Sequence, residues 1–303
     1  MAQTERKSLY LWIGLAIIIM AFFGIVIIKK SNTEPQYLTP ISSFQDAHGM
    51  AVDIEDPSKL YIATHHGLLM TKDDKNLYRV GSGRDDYMGF STHPTDPSTF
   101  FTSGHPTTGG NIGFQKSTDG GRTWQHVSDG INGPVDFHSM AVSQVNPEVI
   151  YGTYQGEIHK SLNGGKDWQV IDDSPANIIS LTTDTQEADT VYASTTAGMY
   201  VSRDQGTTWS TLKGIDGAVT AVAIHPSDNQ ELLAYVQNQG LQKSIDGGAS
   251  WTSAGLELAD TTPIMYIAFA KTQPSIRYVL LQDLSIYKTT DSGQTWQKMR
   301  QGA

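Results

Sequence analysis

An eight-residue motif recurs five times in this chain and constrains its fold more than any other feature of the sequence. Each copy begins with Ser or Thr, has Asp or Asn third and Gly fifth, and ends with Trp. The five tryptophans follow one another at intervals of 44, 41, 42 and 45 residues, and a fixed period of this length is typical of repeat architectures. The third-position residues are Asp119, Asn163, Asp204, Asp246 and Asp291, and the tryptophans are Trp124, Trp168, Trp209, Trp251 and Trp296.

The residue types of the motif predict a tight hairpin. Asp and Gly favour turns, and the Trp begins the next strand and packs its ring beneath the turn. Four short strands can be drawn around each copy, and the sequence shows no helical periodicity over a dozen residues. A degenerate copy over residues 71–78 brings the number of units to six. Six units of four strands predict an all-β protein, a six-bladed β-propeller.

The N-terminal region differs from the repeats. Residues 9–28 are almost continuously apolar and have two basic residues on each side. Twenty helical residues cross a hydrocarbon core of about 30 Å, and a cleaved signal peptide has a shorter apolar run and a recognisable exit. We therefore predict one N-terminal transmembrane helix, an uncleaved signal anchor, over residues 1–30, a linker over 31–43 and the propeller over 44–303.

This organisation predicts a single-pass protein of the cell membrane, with the propeller on the extracytoplasmic side. The N-terminal helix makes the membrane itself one partner. Residues 37–41 are expected to complete the last blade and so close the ring.

Charge and composition exclude several classes of function. The formal net charge of −10 and the pI near 5.3 argue against nucleic-acid binding, because affinity for phosphates needs a concentrated excess of Lys and Arg. The absence of cysteine excludes disulfides, thiolate metal sites and a cysteine nucleophile. Any chemistry must use His, Asp, Glu, Tyr, Met or Ser.

The repeated motif resembles the Asp box, or BNR repeat, of sialidases, sortilin-type receptors and photosystem II assembly factors. The resemblance covers most of residues 44–299. The chain is still more similar to bacterial membrane-anchored proteins known as BNR-repeat glycosyl hydrolases, through residues 48–49, 63–68, 86–90, 104–106 and 136–138. The resemblance implies the propeller fold and leaves the activity open, because one fold serves many functions.

Sialidase activity is not implied by this resemblance. Sialidases hold the carboxylate of their substrate with three arginines, whose forked donors match a carboxylate. Only Arg84, of the six arginines after residue 30, is near the candidate site of this chain. Whether the protein is an enzyme stays open at this point.

The candidate site consists of His, Asp and Met residues that recur at the same places in the first three units. They begin the innermost strand, stand two residues before it, or end the second strand. Because the second strand runs antiparallel to the first, these positions share one face of the propeller. Units four to six lack the pattern, which therefore differs from a feature that every blade needs. The residues are Asp46, His48, His65 and His66 in unit one, Asp86, Met88 and His105 in unit two, and Asp136 and His138 in unit three.

Three chemistries suit this set. Imidazoles without thiolates favour a divalent transition metal such as Zn²⁺, and Met88 adds a soft ligand suited to copper. In that interpretation the metal ligands are His48, His65, His66, His105, His138 and Met88. The carboxylates would then orient the imidazoles.

The second possibility is a glycosyl hydrolase, which needs two carboxyl groups, here Asp86 and Asp136, as its catalytic pair. The third is a pocket in which Tyr87, Phe137 and Tyr154 stack against a ligand and Arg84 orients it. The sequence thus predicts a ligand- or metal-binding module, with a hydrolase-like enzyme as the alternative. A glycan, a peptide or a membrane protein is the expected partner.

Overall fold

The structure, a computed structural model, describes residues 36–72, 74–256 and 262–300. Strands are the regular elements of these residues, and six antiparallel sheets contain all of them. In this part of the chain no helix is long and apolar enough to cross a membrane. The predicted transmembrane segment over residues 9–28 lies outside the described residues.

The bounds of the strands follow the repeat. In chain order they are β1 (Leu38–Ile41), β2 (Gly49–Val52), β3 (Leu60–Thr64), β4 (Gly67–Lys72), β5 (Asn76–Val80), β6 (Asp86–Thr92), β7 (Phe100–His105), β8 (Phe114–Ser117), β9 (Gln125–Ser128), β10 (Ser139–Val142), β11 (Ile150–Tyr154), β12 (Glu157–Ser161), β13 (Gln169–Ile171), β14 (Ile178–Thr183), β15 (Val191–Thr195), β16 (Gly198–Ser202), β17 (Ser210–Thr211), β18 (Val219–Ile224), β19 (Leu232–Val236), β20 (Gly240–Ser244), β21 (Thr252–Ser253), β22 (Ile264–Phe269), β23 (Arg277–Leu281), β24 (Ile286–Thr289) and β25 (Gln297–Arg300).

The sheets are six blades of a propeller, as the sequence predicts. In each blade four consecutive strands pair antiparallel in chain order. The first strands, β2, β6, β10, β14, β18 and β22, each contact the next, and β22 contacts β2, so the ring is closed. These inner strands surround a central channel with a cavity of about 290 Å³. The apolar side chains of neighbouring blades form the core between the sheets.

The ring closes differently from our expectation for residues 37–41. These residues do not join the last blade: β1 pairs antiparallel with β5 and gives blade 1 a fifth strand. Leu38 is buried with Tyr78 and Val80, which holds β1 against blade 1. The compact unit accordingly begins at Tyr37.

Side-chain contacts join blade 6 to blade 1. The Tyr278 hydroxyl donates to the Pro57 carbonyl at 2.7 Å, and Lys288 Nζ lies 2.6 Å from Asp74 Oδ2. Leu60 and Leu280 belong to one buried cluster that spans these two blades. Packing between sheets therefore closes the ring, and within the part of the chain that the structure describes the first and last blades share no strand.

The Asp-box turns have the predicted hairpin geometry. In blade 3 the Ser161 hydroxyl accepts the N–H of Gly165 at 2.9 Å, and Asn163 Oδ1 accepts the N–H of Asp167 at 2.9 Å. Trp168 Nε1 donates to the Gly165 carbonyl at 3.0 Å, so the indole packs beneath its own turn. Gly165 has φ +84°, and a Cβ there would lie 2.0 Å from the Phe114 ring. The motif requires glycine at this position for both reasons.

Candidate metal centre

The first three blades bring most of the predicted site residues to one mouth of the channel. His48 directly precedes β2, Asp86 begins β6 and His138 directly precedes β10. His65 follows β3, and His105 is the last residue of β7. The ends of second strands therefore lie beside the starts of first strands, as antiparallel pairing predicts.

Blade 1 contributes a compact group of Asp46, His48 and His65. One potential ligand atom from each lies within 4.8 Å of the others. His65 Nδ1 is 2.9 Å from Asp46 Oδ2, and the His65 backbone N–H donates to Asp46 Oδ1 at 2.7 Å. The rings of His48 and His65 have centroids 4.3 Å apart and planes at 52°. Asp46 thus orients both the backbone and the ring of His65.

Asp86 lies between the histidines of blades 1 and 2. Its Oδ2 is 3.0 Å from His65 Nε2 and 3.1 Å from His105 Nε2, and its Oδ1 is 3.8 Å from His48 Nε2. The residue is only 3% exposed. Within the described residues neither carboxylate oxygen of Asp86 has a partner in hydrogen-bond geometry, and the same holds for His48 Nε2. A buried carboxylate is costly unless hydrogen bonds or a positive charge compensate it, and the two imidazole nitrogens at 3.0 and 3.1 Å are placed to do so.

Gly104 positions the backbone of Asp86. Its φ is +148°, and a Cβ at this residue would lie 1.8 Å from the Asp86 carbonyl oxygen. Asp86 pairs with His105 in the ladder between β6 and β7. The missing side chain of Gly104 therefore lets the two strands approach where both carry site residues.

Blade 3 contributes Asp136 and His138. His138 Nε2 is 3.7 Å from Asp136 Oδ2, and the His138 side chain is mostly exposed. Asp136 is buried, and its Oδ1 has no hydrogen-bond partner in the part of the chain that the structure describes. The neighbouring Phe137 N–H donates to Ser103 Oγ at 2.7 Å, which ties this segment to β7 of blade 2.

Burial shifts two of these groups toward their neutral forms. Burial lowers the pKa of His48, and repulsion by His65 adds to this, while attraction by Asp86 opposes it. Burial raises the pKa of Asp136, and electrostatic attraction to His138 and His105 opposes that rise. The neutral imidazole is the form that binds metals, because it has a free lone pair.

The geometry suits a small divalent transition ion. Zn²⁺ binds imidazole nitrogen and carboxylate oxygen at about 2.0–2.2 Å, so two of its ligand atoms are at most about 4.4 Å apart. The ligand atoms of Asp46, His48 and His65 need only small movements to meet this condition. Asp86 lies on the buried side, beside the other ring nitrogen of His65, Nε2. Asp46, His48 and His65 could hold one ion and leave a further coordination position open.

Three predicted metal ligands lie outside the group of Asp46, His48 and His65. His105 and His138 belong to blades 2 and 3. His66 is exposed in the turn after β3, where its N–H donates to Thr64 Oγ1 and its carbonyl accepts from Arg79 Nε, both at 3.1 Å.

Met88, the remaining predicted ligand, lies in a β-bulge of β6, where the register shifts between Tyr87 and Phe90. In a bulge the strict alternation of side chains is interrupted, so strand alternation does not predict the direction of this side chain.

The four residues predicted to contact a ligand directly are divided between the core and the surface. Tyr87 and Phe137 are buried in the core, where Tyr87 packs on Trp124, so neither ring faces a surface pocket. Tyr154 is partly exposed, and its hydroxyl accepts from Asn111 Nδ2 at 3.0 Å. Arg84 is exposed and donates to the Gly83 carbonyl at 2.6 Å. Of the four, Tyr154 and Arg84 remain on the surface.

Sequence reasoning missed the contribution of Asn111. This residue lies in the loop after β7, and its Nδ2 also donates to the Pro134 carbonyl at 2.9 Å. It therefore joins the loop of blade 2 to the loop before Asp136. The extra length of both loops was the available signal, since insertions on one face of a repeat protein often serve a site.

Comparisons with known proteins agree with the repeat and the architecture. The sequence matches the BNR/Asp-box repeat over residues 200–211. No curated protein matches the chain.

Three solved structures illustrate the similarity of fold. The GH74 xyloglucanase from Xanthomonas campestris is 14% identical with a TM-score of 0.61, over 86% of this chain and 46% of the enzyme. The chain thus spans less than half the length of that enzyme. YCF48 bound to D1 peptide is 15% identical with a TM-score of 0.56, over 88% and 85% of the two chains. YCF48 from Cyanidioschyzon merolae is 16% identical with a TM-score of 0.52, over 86% and 87%. The protein is therefore a six-bladed β-propeller that carries the BNR/Asp-box repeat.

Proposed function

We propose that the protein is a metal-binding β-propeller, anchored in the cell membrane by its N-terminal segment with the propeller on the extracytoplasmic side. The metal is a divalent transition ion, Zn²⁺ or Cu²⁺, at the channel mouth of blade 1. The observation that supports this most is the convergence of Asp46, His48 and His65 within 4.8 Å, beside the buried carboxylate of Asp86.

The surroundings of the group favour a metal over an ordinary ion-pair network. A structural network satisfies its buried atoms with hydrogen bonds. Here His48 Nε2 has no hydrogen-bond partner among the described residues, and the carboxylate oxygens of Asp46 and Asp86 are 3.8 Å from it. A cation between Asp46, His48 and His65 would compensate the carboxylate and use the imidazole lone pairs at the same time.

Zn²⁺ binding by the full-length chain tests this proposal. After removal of bound metal with a chelator, we expect the protein to compete with a chromogenic zinc indicator, and the variant His48→Ala/His65→Ala to lose this ability. His126→Ala is the matched control, because His126 also faces a carboxylate, Asp129 at 2.7 Å, but lies on the outer strand β9. Equal affinity in the double variant and in the control would contradict the proposal, as would the absence of binding for both Zn²⁺ and Cu²⁺.

A glycan or a peptide is the partner that we propose for this mouth. The structures of similar fold include a xyloglucanase and a propeller in complex with a peptide. Tyr154 and Arg84 are exposed enough to contact such a molecule. A metal ion at the mouth would offer an open coordination position to a carbonyl or hydroxyl oxygen.

Glycoside hydrolysis is a second candidate, and the state of Asp136 is the observation that favours it. Burial raises the pKa of this carboxyl, as a general acid requires, while Asp86 is the nearby second carboxylate. Release of reducing sugar from a panel of polysaccharides would support this function if Asp136→Asn abolished it. Unchanged release by Asp136→Asn, or none by the unaltered protein, would contradict it.

A further inference from the structure

The first turn of each blade connects its first and second strands, and the residue that begins this turn is equivalent in all six blades. Its backbone N–H donates to the carbonyl of the residue before the second strand, as from His93 to Thr99 at 2.9 Å and from Asp184 to Thr190 at 3.0 Å. Blades 2 and 5, which are opposite each other in the ring, have histidine at this position. In blade order the residues are Asp53, His93, Ser143, Asp184, His225 and Ala270.

The side chain at this position accepts hydrogen bonds from the backbone of its own turn. In blade 4, Asp184 Oδ1 accepts the N–H groups two and three residues further on, at 2.8 and 3.0 Å. In blade 2, His93 Nδ1 accepts the same two N–H groups, both at 3.1 Å. In blade 5, His225 Nδ1 accepts the N–H of Ser227 at 3.3 Å. An imidazole nitrogen thus replaces a carboxylate oxygen in these two blades.

Only the neutral form of each histidine can make these bonds. Because backbone N–H groups donate to Nδ1, this nitrogen carries no proton, and the proton of the neutral ring is on Nε2. Protonation would add an N–H at Nδ1, directed at the backbone N–H groups that it now accepts. A carboxyl group, by contrast, has an acceptor oxygen in both of its protonation states. The turns that begin with Asp are therefore not sensitive in this way.

Blade 6 shows what remains of the turn without a side-chain acceptor. Ala270 begins this turn, and its N–H still donates to the Ile276 carbonyl at 3.0 Å. The backbone bond therefore forms without the side-chain bonds. Loss of the acceptor in blades 2 and 5 should weaken their first turns and leave the blades folded.

The surroundings of the two imidazoles support the neutral form. Burial lowers the pKa of both histidines. His93 packs near the Phe101 ring and His225 near the Phe269 ring, with centroids 6.3 and 5.5 Å apart. Two carboxylates and two cations surround each histidine: Asp96, Glu148, Lys116 and Lys271 at His93, and Asp228, Glu231, Lys243 and Arg277 at His225. The charges that would attract a proton are thus matched by charges that repel it.

The two turns also contact the first turns of other blades. The Pro94 carbonyl in blade 2 accepts a hydrogen bond from Lys271 Nζ of blade 6, and the His225 carbonyl in blade 5 accepts one from Thr185 Oγ1 of blade 4 at 2.9 Å. Pro226 lines the channel. By antiparallel pairing, all first turns lie at the Asp-box end of the channel. A change in these two turns would therefore reach other blades at this end.

We propose that His93 and His225 make the Asp-box end of the channel acid-sensitive, so that protonation weakens the first turns of blades 2 and 5. The neutral imidazoles favour the folded turns. Their contribution is therefore full above the ordinary histidine pKa of 6.5 and is lost as pH falls below it. This inference is independent of the proposed metal-binding function, whose residues lie at the opposite mouth.

Hydrogen exchange of the full-length chain at pH 7.5 and pH 5.0, corrected for the intrinsic effect of pH on exchange, tests this proposal. At pH 5.0 we expect protection of residues 93–99 and 225–231 to fall by about tenfold, because a histidine released from its turn is then mostly protonated. Residues 53–59 and 184–190 should keep their protection. An equal fall in all four turns would overturn the proposal.

The variant His93→Asp/His225→Asp gives both turns the residue of blades 1 and 4, so they should keep their protection at pH 5.0. His126→Ala is the matched control, because His126 is an exposed histidine of blade 2 outside the first turn, and it should leave the fall unchanged. A fall that persists in His93→Asp/His225→Asp would contradict the role of the two imidazoles.

Nitrogen-15 NMR of the unaltered full-length chain tests the same proposal without a substitution. We expect the resonances of His93 and His225 at pH 7.5 to show an unprotonated Nδ1 and a protonated Nε2. A proton on Nδ1 at pH 7.5 would overturn the proposal. Rings that stay neutral in protected turns at pH 5.0 would overturn it as well.

Discussion

The polar groups on the two faces of the propeller have different surroundings. On the Asp-box face the turn is locally satisfied: in blade 4, Asp204 accepts the N–H and the hydroxyl of Thr208, at 2.8 and 2.7 Å. The same bonds recur in blade 5 between Asp246 and Ser250. At the opposite mouth, the Asp86 carboxylate is buried and faces imidazole nitrogens of His65 and His105 at 3.0 and 3.1 Å. The Asp-box bonds recur from blade to blade and build the fold, whereas the carboxylates and imidazoles of the mouth belong to blades 1 to 3 alone.

The mouth itself supports this distinction. Blades 4 and 6 connect the end of the second strand to the segment before the first strand without acidic side chains. There the Thr196 N–H donates to the Asn177 carbonyl and the Gln282 N–H to the Pro263 carbonyl, at 3.2 and 2.9 Å. In blade 1 the equivalent N–H, that of His65, donates to the Asp46 carboxylate. The backbone alone can therefore make this turn, and the propeller does not need the charged side chains of blades 1 to 3.

The largest expected effect comes from giving blade 1 the residues of blade 4. In the variant Asp46→Asn/His48→Ile/His65→Thr we expect Zn²⁺ affinity to fall at least a thousandfold, about 4 kcal/mol, because all three residues of the proposed metal site are replaced. The melting temperature should stay within about 3 °C of that of the unaltered protein. An Asn side chain at position 46 still has an oxygen that accepts the backbone N–H of residue 65. Indicator competition and thermal unfolding measure the two quantities. Retained affinity, or a protein that no longer folds, would break the distinction between the faces.

The reverse pattern is expected for a tryptophan of the Asp-box face. Trp251→Ala should lower the free energy of unfolding by about 3 kcal/mol, because its ring packs beneath the turn and Nε1 donates to the Gly248 carbonyl at 3.2 Å. Zn²⁺ affinity should not change. Trp251→Phe is the control, which keeps a ring and loses about 1 kcal/mol with the hydrogen bond. A Trp251→Ala protein with weakened metal binding would show that the two faces are coupled.

A glycine of the mouth should affect both properties. Gly104→Ala places a Cβ against the Asp86 carbonyl, so we expect a loss of about 2 kcal/mol in stability and at least tenfold in Zn²⁺ affinity. Gly240→Ala is the matched control: its φ is +79° and a Cβ there meets no atom within 4 Å. It should lose about 1 kcal/mol and bind Zn²⁺ normally. Similar affinities of the two variants would contradict the positioning role of Gly104.

The smallest expected effect is on stability in acid. Hydrogen bonds lower the pKa values of Asp204, Asp246 and Asp291 to about 2. A lowered pKa means that the ionised form favours the fold, so this contribution is present above pH 4 and is lost as pH falls toward 2. Asn163 occupies the same position in blade 3 without ionising. We expect Asp204→Asn/Asp246→Asn/Asp291→Asn to show a smaller fall in melting temperature from pH 4 to pH 2. An identical fall would contradict this assignment.

The fold could be predicted from the sequence because each blade repeats one local signal. Gly165 and Trp168 reveal a turn wherever their pattern occurs, and the period of the pattern gives the number of blades. The closure of the ring could not be predicted in this way. The place of β1 depends on the burial of Leu38 between blades 1 and 2, which is a tertiary contact without a local signal.

The candidate site was predictable to the extent that strand pairing is regular. Antiparallel pairing places His65 beside His48, and the structure agrees. Met88 and Phe137 show where this reasoning fails. Met88 lies in the bulge of β6, where strand alternation does not predict the direction of a side chain, and the Phe137 ring lies in the core with Phe101 and Phe114 of blade 2. Neither a bulge nor such a bend is encoded by residue type alone.

Anomalous diffraction from crystals grown with Zn²⁺ tests the central claim most directly, because it locates the metal without reference to affinity. We predict a peak at the zinc absorption edge about 2.0–2.2 Å from nitrogen atoms of His48 and His65 and from a carboxylate oxygen of Asp46. A zinc peak only at surface positions such as His126, with the mouth of blades 1 to 3 free of anomalous density, would contradict the account.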